Sequence, residues 1–328
     1  MSEQSKIPLD NAKPVDAGSS LFERASGAFG LEALKPVAPP RDLPPAVQPV
    51  ARASAPEPVA TKAPAPSVAP VPAQPAVSRA PQSCVEFSGG SVRVDRNRMR
   101  ENAMIDPDGP VTALLEEFRI VKRDLLGDAR KSDTGLARRI LVCSPHPGEG
   151  KTYCATNLAI SLAAERDIEV LLVDADFANP SVSRVLGFET GRGFMDVLAD
   201  PSIAPESQVL STDIRGLYVL PAGQSSTNDA EYIASARTGE VLDRLTQGAP
   251  NRILIFDTPP ALAASPAAEL AKHVGQALLV VRADVTGQNS LEDACQLLSA
   301  CPEIKLLLNA TQFSPSGRTF GSYEGYGS

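Results

Sequence analysis

From Arg139 onward the chain alternates short apolar runs with longer stretches of helical period. Nearly unbroken apolar runs at 139–143, 169–174, 216–220, 252–257, 276–282 and 304–309 predict strands covered on both faces. Between them, 152–166, 181–187, 193–199, 229–247, 264–273 and 287–299 predict helices. Upstream, residues 111–126 put Leu114, Leu115, Phe118, Val121 and Leu125 on one helical stripe. Strands separated in this way by helices predict an α/β fold, a doubly wound and mostly parallel sheet. Its ligand site is expected at the carboxyl ends of the strands.

The first third of the chain follows a different pattern. Residues 36–82 hold 14 of the 30 prolines and no aromatic residue, too little apolar area to offset chain entropy. This predicts a disordered Pro/Ala-rich linker, taken to run over 36–95, that reaches on the order of 100 Å if stretched. Before it, Leu21, Phe22, Ala25 and Phe29 recur at helical spacing behind a serine, so residues 1–35 are a candidate docking segment or a frayed helix without a partner. The globular domain is expected over 96–312. After it, 313–328 form a Gly- and Tyr-containing tail, expected to be mobile.

Charge and composition narrow the function. A net charge of −8 and a pI near 5.0 disfavour bulk nucleic-acid binding. The five cysteines form no CxxC pair and there are only two histidines, His146 and His273, which argues against zinc and suits a reducing cytoplasm. The first residues have no apolar core of a signal peptide, and no run reaches the roughly 18 apolar residues of a span. Any membrane association is therefore expected to go through a partner or the protein surface.

The chemistry concentrates at strand ends. Residues 144–152 read SPHPGEGKT, between an apolar run and a helical stretch that opens at Tyr153. Strand, Gly-Lys-Thr loop and helix is how a chain cradles a nucleoside triphosphate: inward-pointing N–H groups and the positive helix end meet the phosphates. Pro147, Gly148, Glu149 and Gly150 form the loop, Lys151 would reach the β- and γ-phosphates, Thr152 would put its hydroxyl on Mg²⁺, and Tyr153 is a further candidate nucleotide contact. Two further strand ends carry Asp174, Asp176 and Asp257. Carboxylates there are poorly hydrated, and a magnesium-loaded triphosphate accounts for them.

From about residue 96 to the end, the chain resembles the bacterial tyrosine kinases of exopolysaccharide assembly. SPHPGEGKT is similar to their Walker A motif, LLVDADFANPS to their A′ motif and ILIFDTPP to their Walker B motif. GLYVLPAG, NDAEYIASARTGEVLDRL and LLLNATQF resemble later segments. RMRENAMIDPDGPVTALLEEFRIVKRDLL is similar to the entry region of the stand-alone, exosortase-linked sub-group. The resemblance implies a P-loop fold shared with MinD and ParA and an ATP- and Mg²⁺-dependent protein-tyrosine autokinase controlling polysaccharide polymerisation and export. It implies metal organisation by Asp176 and Asp257, Asp174 as the base for a tyrosine hydroxyl, and Tyr323 and Tyr326 as acceptors. It also implies an adenine contact at Asn309 and a head-to-tail homo-oligomeric ring through Glu116, Arg119 and Lys122. The implied activator is a separate membrane protein, with this chain cytoplasmic and peripheral to the inner membrane.

The sequence departs from the family in two places. Ala178 stands where an arginine usually follows the A′ aspartates, with Arg184 as a possible substitute, and Lys122 replaces the third basic residue of the helix motif. Two other functions share this fold: a MinD- or ParA-type ATPase, and a nucleotide-binding scaffold without phosphoryl transfer. His146 in place of an early loop lysine, and the tyrosine tail, separate the chain from the former.

Overall fold

A computed structural model describes residues 83–131 and 135–311. In chain order it contains β1 (Ser91–Val92), α1 (Arg96–Glu101), α2 (Ala113–Lys131), β2 (Arg139–Cys143), α3 (Lys151–Ala163), β3 (Glu169–Asp174), α4 (Val182–Leu186), α5 (Phe194–Ala199), β4 (Leu210–Thr212) and β5 (Leu217–Leu220). Then follow α6 (Asp229–Ala234), α7 (Ala236–Thr246), β6 (Arg252–Asp257), α8 (Pro266–Ala271), β7 (Gln276–Arg282), α9 (Gln288–Leu297) and β8 (Glu303–Asn309).

The strands form one eight-stranded sheet in the order β1-β4-β5-β3-β6-β2-β7-β8, parallel except for the β4–β5 pair. Alternation within each strand splits its side chains between two cores. Leu141 and Cys143 of β2 and Leu254 and Phe256 of β6 face α5 to α9. Ile140, Val142, Ile253 and Ile255 face α1 to α4. Both faces are covered at β2, β3, β6 and β7, which explains their unbroken apolar runs, whereas the edge strand β8, expected to be covered on both faces, leaves Leu306 and Leu308 exposed. Each fully buried Leu, Ile or Val contributes about 1.5–3 kcal/mol.

The chain leaves β2, crosses β6 and returns as β3, so the carboxyl ends of β2, β6 and β3 meet at the middle of the sheet. Val142 pairs with Asp257, and Asp257 with Asp174. The register thus brings the Gly-Lys-Thr loop and the aspartates to one place, where this topology binds ligands.

Three expectations change. Residues 83–95, grouped by composition with the linker, belong to the folded unit. Ser91 and Val92 pair with Ser211 and Thr212, and the Phe87 ring packs edge-on to Tyr218 at 4.9 Å. The Arg252 guanidinium lies 3.9 Å from the centre of the same ring. Averaging over proline-rich sequence hides these few apolar anchors. The helix expected over 229–247 is two helices, because Ser235 is extended, with ψ 158°. The helix expected over 111–126 begins at Ala113, where Thr112 accepts from the N–H of Leu115 at 3.2 Å, and continues to Lys131. The proposed docking segment, residues 36–82 and the tail with Tyr323 and Tyr326 lie outside the described residues.

Candidate active site

The loop between β2 and α3 is shaped by two glycines in the left-handed region, Gly148 at φ 78° and Gly150 at φ 97°. At φ 97° a side chain on Gly150 would be strained, and its Cβ would lie 2.1 Å from Asn309 Nδ2 and displace that amide, so glycine is favoured there. Ser144 donates to the His146 carbonyl at 2.8 Å, and the N–H of His146 donates to Glu149 at 2.8 Å. The start of α3 adds the positive end of a 13-residue helix.

Lys151 begins α3 and is 8% exposed. Its Nζ donates to Asp176 at 2.6 Å. Burial works against its charge, but Asp257, Asp176 and Asp174 more than offset this and raise its pKa. Thr152 donates to Asp257 Oδ2 at 2.6 Å. Asp257 is fully buried, and burial, with Asp174 and Asp176 nearby, pushes its carboxyl up to about 7. Its other oxygen, Oδ1, is buried with no hydrogen-bond partner among the described residues.

Asp174 ends β3. Its Oδ2 accepts from the N–H groups of Ser181 and Val182 at 2.9 and 3.0 Å, and Oδ1 from that of Asp176 at 3.2 Å. These bonds fold the following loop back so that Asp176 faces Lys151. Burial raises the Asp174 carboxyl to about 6 despite the three donors.

The structure brings together Lys151, Thr152, Asp174, Asp176 and Asp257. Asn309, expected at the adenine, sits at the end of β8 and donates to the Glu149 carbonyl at 2.9 Å. Tyr153 and Asn309 line a cavity of about 250 Å³ with Leu114, Phe118 and Leu307. Sequence reasoning missed Thr286, whose hydroxyl donates to the Glu149 carboxylate. It lies 137 positions from its partner, and no local pattern marks it.

The helix trio requires correction. Glu116 and Arg119 pair with each other on the outside of α2. Lys122 is 6% exposed and turned inward, with Nζ 2.8 Å from Glu165 and 2.9 Å from the Ser161 carbonyl. Each three-residue step falls about 60° short of a full turn, so the third position has rotated toward α3. Lys122 is a buried ion-pair member and does not share one exposed face with Glu116 and Arg119. Ala178 is exposed, and Arg184, its suggested substitute, donates to Ser181 at 3.0 Å.

Among known proteins, residues 135–265 match the ParA family model described as an NUBPL iron-transfer P-loop NTPase. Tyrosine-protein kinase YwqD of Bacillus subtilis is 28% identical over 211 residues, 64% of this chain and 86% of that protein. Tyrosine-protein kinase ptk of Acinetobacter johnsonii is 25% identical over 218 residues, 66% of this chain but only 28% of ptk. The chain is a homologue of the bacterial tyrosine-protein kinases. The BceF tyrosine kinase domain has the same fold, with 22% identity and a TM-score of 0.54 over 68% of this chain and 93% of that domain. This kinase homologue therefore carries a P-loop NTPase fold, which implies a nucleotide and a divalent metal. Its aligned part spans less than a third of ptk and most of YwqD.

Proposed function

We propose that the chain is an ATP-dependent protein-tyrosine autokinase that regulates polymerisation and export of an exopolysaccharide. The observation that carries this reading is the buried Oδ1 of Asp257, without a hydrogen-bond partner among the described residues, beside Thr152 and Lys151, together with homology to named tyrosine kinases. An unsatisfied buried carboxylate oxygen is costly unless a ligand completes it.

The donors fit Mg²⁺. Among the described residues no three His, Cys, Asp or Glu side chains gather into a metal cluster. Mg²⁺ does not require one: it is commonly held by one or two carboxylates, with phosphates and water filling the remaining positions. Asp257 and the Thr152 hydroxyl would hold it, with Asp176 available once Lys151 turns to the phosphates. The ion would neutralise charge at the phosphate oxygens.

The side chains then divide the work. The loop amides and Lys151 hold the triphosphate and stabilise charge on the transferred group. Asp174 Oδ1 accepts one long bond and keeps capacity for a second. With its carboxyl raised to about 6, Asp174 is the base for a tyrosine hydroxyl. The acceptors are Tyr323 and Tyr326, offered by another copy in a head-to-tail assembly with the half-buried Glu116–Arg119 pair at the contact. No helix among the described residues is long and apolar enough to cross a membrane. The family resemblance supports reading the activator as a separate membrane protein and this chain as peripheral to the inner membrane. Residues 98–126 are similar to the entry region of the exosortase-linked sub-group, which supports that assignment.

The match to a ParA-family model favours a second reading, an ATPase that releases phosphate to water. Incubating the full chain with ATP and Mg²⁺ and mapping phosphotyrosine separates the two. Label on Tyr323 or Tyr326, lost in Lys151→Ala, is expected. Phosphate release without labelled tyrosine would establish the second reading instead.

A further inference from the structure

Glu149 is a carboxylate in the phosphate loop, 3% exposed, with no cation in salt-bridge range among the described residues. Hydrogen bonds hold it instead. The His146 N–H donates to Oε2 at 2.8 Å, and the Thr286 hydroxyl donates to Oε1. Thr286 lies on the turn between β7 and α9, where Asp284 is left-handed at φ 60°. That turn is itself anchored. The Arg282 N–H donates to Thr286 Oγ1 at 3.0 Å, and the Ala283 N–H to the Asn309 carbonyl at 3.0 Å. Asn309 in turn holds the main chain of Glu149 at 2.9 Å. Two neighbouring strand ends therefore brace one loop residue, one through its side chain and one through its carbonyl.

We propose that Thr286 is a positioning residue for the phosphate loop, acting through Glu149. This rests on the assignment of residues 144–152 as a phosphate site. A buried carboxylate that loses its hydroxyl donor must turn toward water. Turning Glu149 releases the His146 N–H and the Gly148–Gly150 bend, so the amides no longer converge on an anion. Thr286 touches no phosphate itself.

Calorimetric titration of the full chain with Mg²⁺–ADP and with tripolyphosphate tests this. Thr286→Val, nearly isosteric but without a hydroxyl, should weaken both ligands about tenfold, ~1.4 kcal/mol. Thr286→Ser should restore both to within about twofold. Thr286→Ala serves in place of the valine variant should that fail to fold, and melting of the ligand-free proteins reports on folding. A hydroxyl-less variant that melts lower yet binds both ligands as tightly as wild type would overturn the proposal, because the residue would then serve stability alone. Failure of serine to restore binding would overturn it too. A wild-type chain that bound neither ligand would remove the phosphate site itself, and the inference with it.

Discussion

Replacing Asp257 by asparagine should stabilise the ligand-free protein as pH rises, at the residue the proposed chemistry needs most. Asp257 is fully buried, and burial, countered by Lys151 and reinforced by Asp174, raises its carboxyl to about 7. In the unfolded chain an aspartate ionises near 3.9. Between these values the folded state keeps a proton that the unfolded state has lost. Stability therefore falls as pH rises from about 4 to about 7, and the full penalty persists above it. At 1.36 kcal/mol per pKa unit, a gap of about three units sets an upper bound of roughly 4 kcal/mol. Lys151 shares the charge cluster and loses a partner in the variant, so a separable gain of about 1–3 kcal/mol is expected at pH 8. Thr152 can still donate to the amide oxygen. Urea unfolding of both proteins in EDTA, from pH 5 to pH 8, measures the effect. The curves should diverge from pH 5 to about pH 7 and then level off at a constant gap, with the variant more stable. Parallel curves would refute the claim that this carboxylate is held at a cost. Mg²⁺–ADP should reverse the order, because wild type alone keeps the full metal site.

Gly150→Ala must place a left-handed alanine 2.1 Å from Asn309 Nδ2, which costs about 1–2 kcal/mol in backbone alone. Nucleotide affinity should fall at least about tenfold by calorimetry, and unchanged affinity would contradict the loop geometry. Lys122→Ala removes a buried stem and its bonds to Glu165 and Ser161. It should lower stability by about 1–3 kcal/mol in urea unfolding; loss of self-association with no loss of stability would instead return Lys122 to the surface contact implied by the helix motif.

Much of this architecture is written locally in the chain. The apolar runs of β2, β3, β6 and β7 are unbroken because those strands are covered on both faces, so their existence and order follow from pattern. The Gly-Lys-Thr loop is equally local, since its neighbours in sequence are its neighbours in space. Residues 83–95 were hidden because Phe87 and Val92 are sparse anchors in proline-rich surroundings, and their partners Tyr218 and Thr212 lie over a hundred positions away. Lys122 was misplaced because charge implies exposure only until a long stem finds a carbonyl and a carboxylate inside. Thr286 and Asn309 were illegible as braces, whereas Asp257 was legible as a candidate ligand. A strand-end aspartate announces itself, whereas a hydroxyl opposite a distant glutamate depends on which loops the sheet order makes adjacent.

Titration calorimetry of the full chain with Mg²⁺–ADP, beside Lys151→Ala, tests the central claim most directly. The account predicts saturable one-to-one binding by wild type that requires the metal and is weakened at least about a hundredfold by the alanine. Absence of heat and of any thermal shift in wild type, or equal binding by the alanine variant, would contradict it.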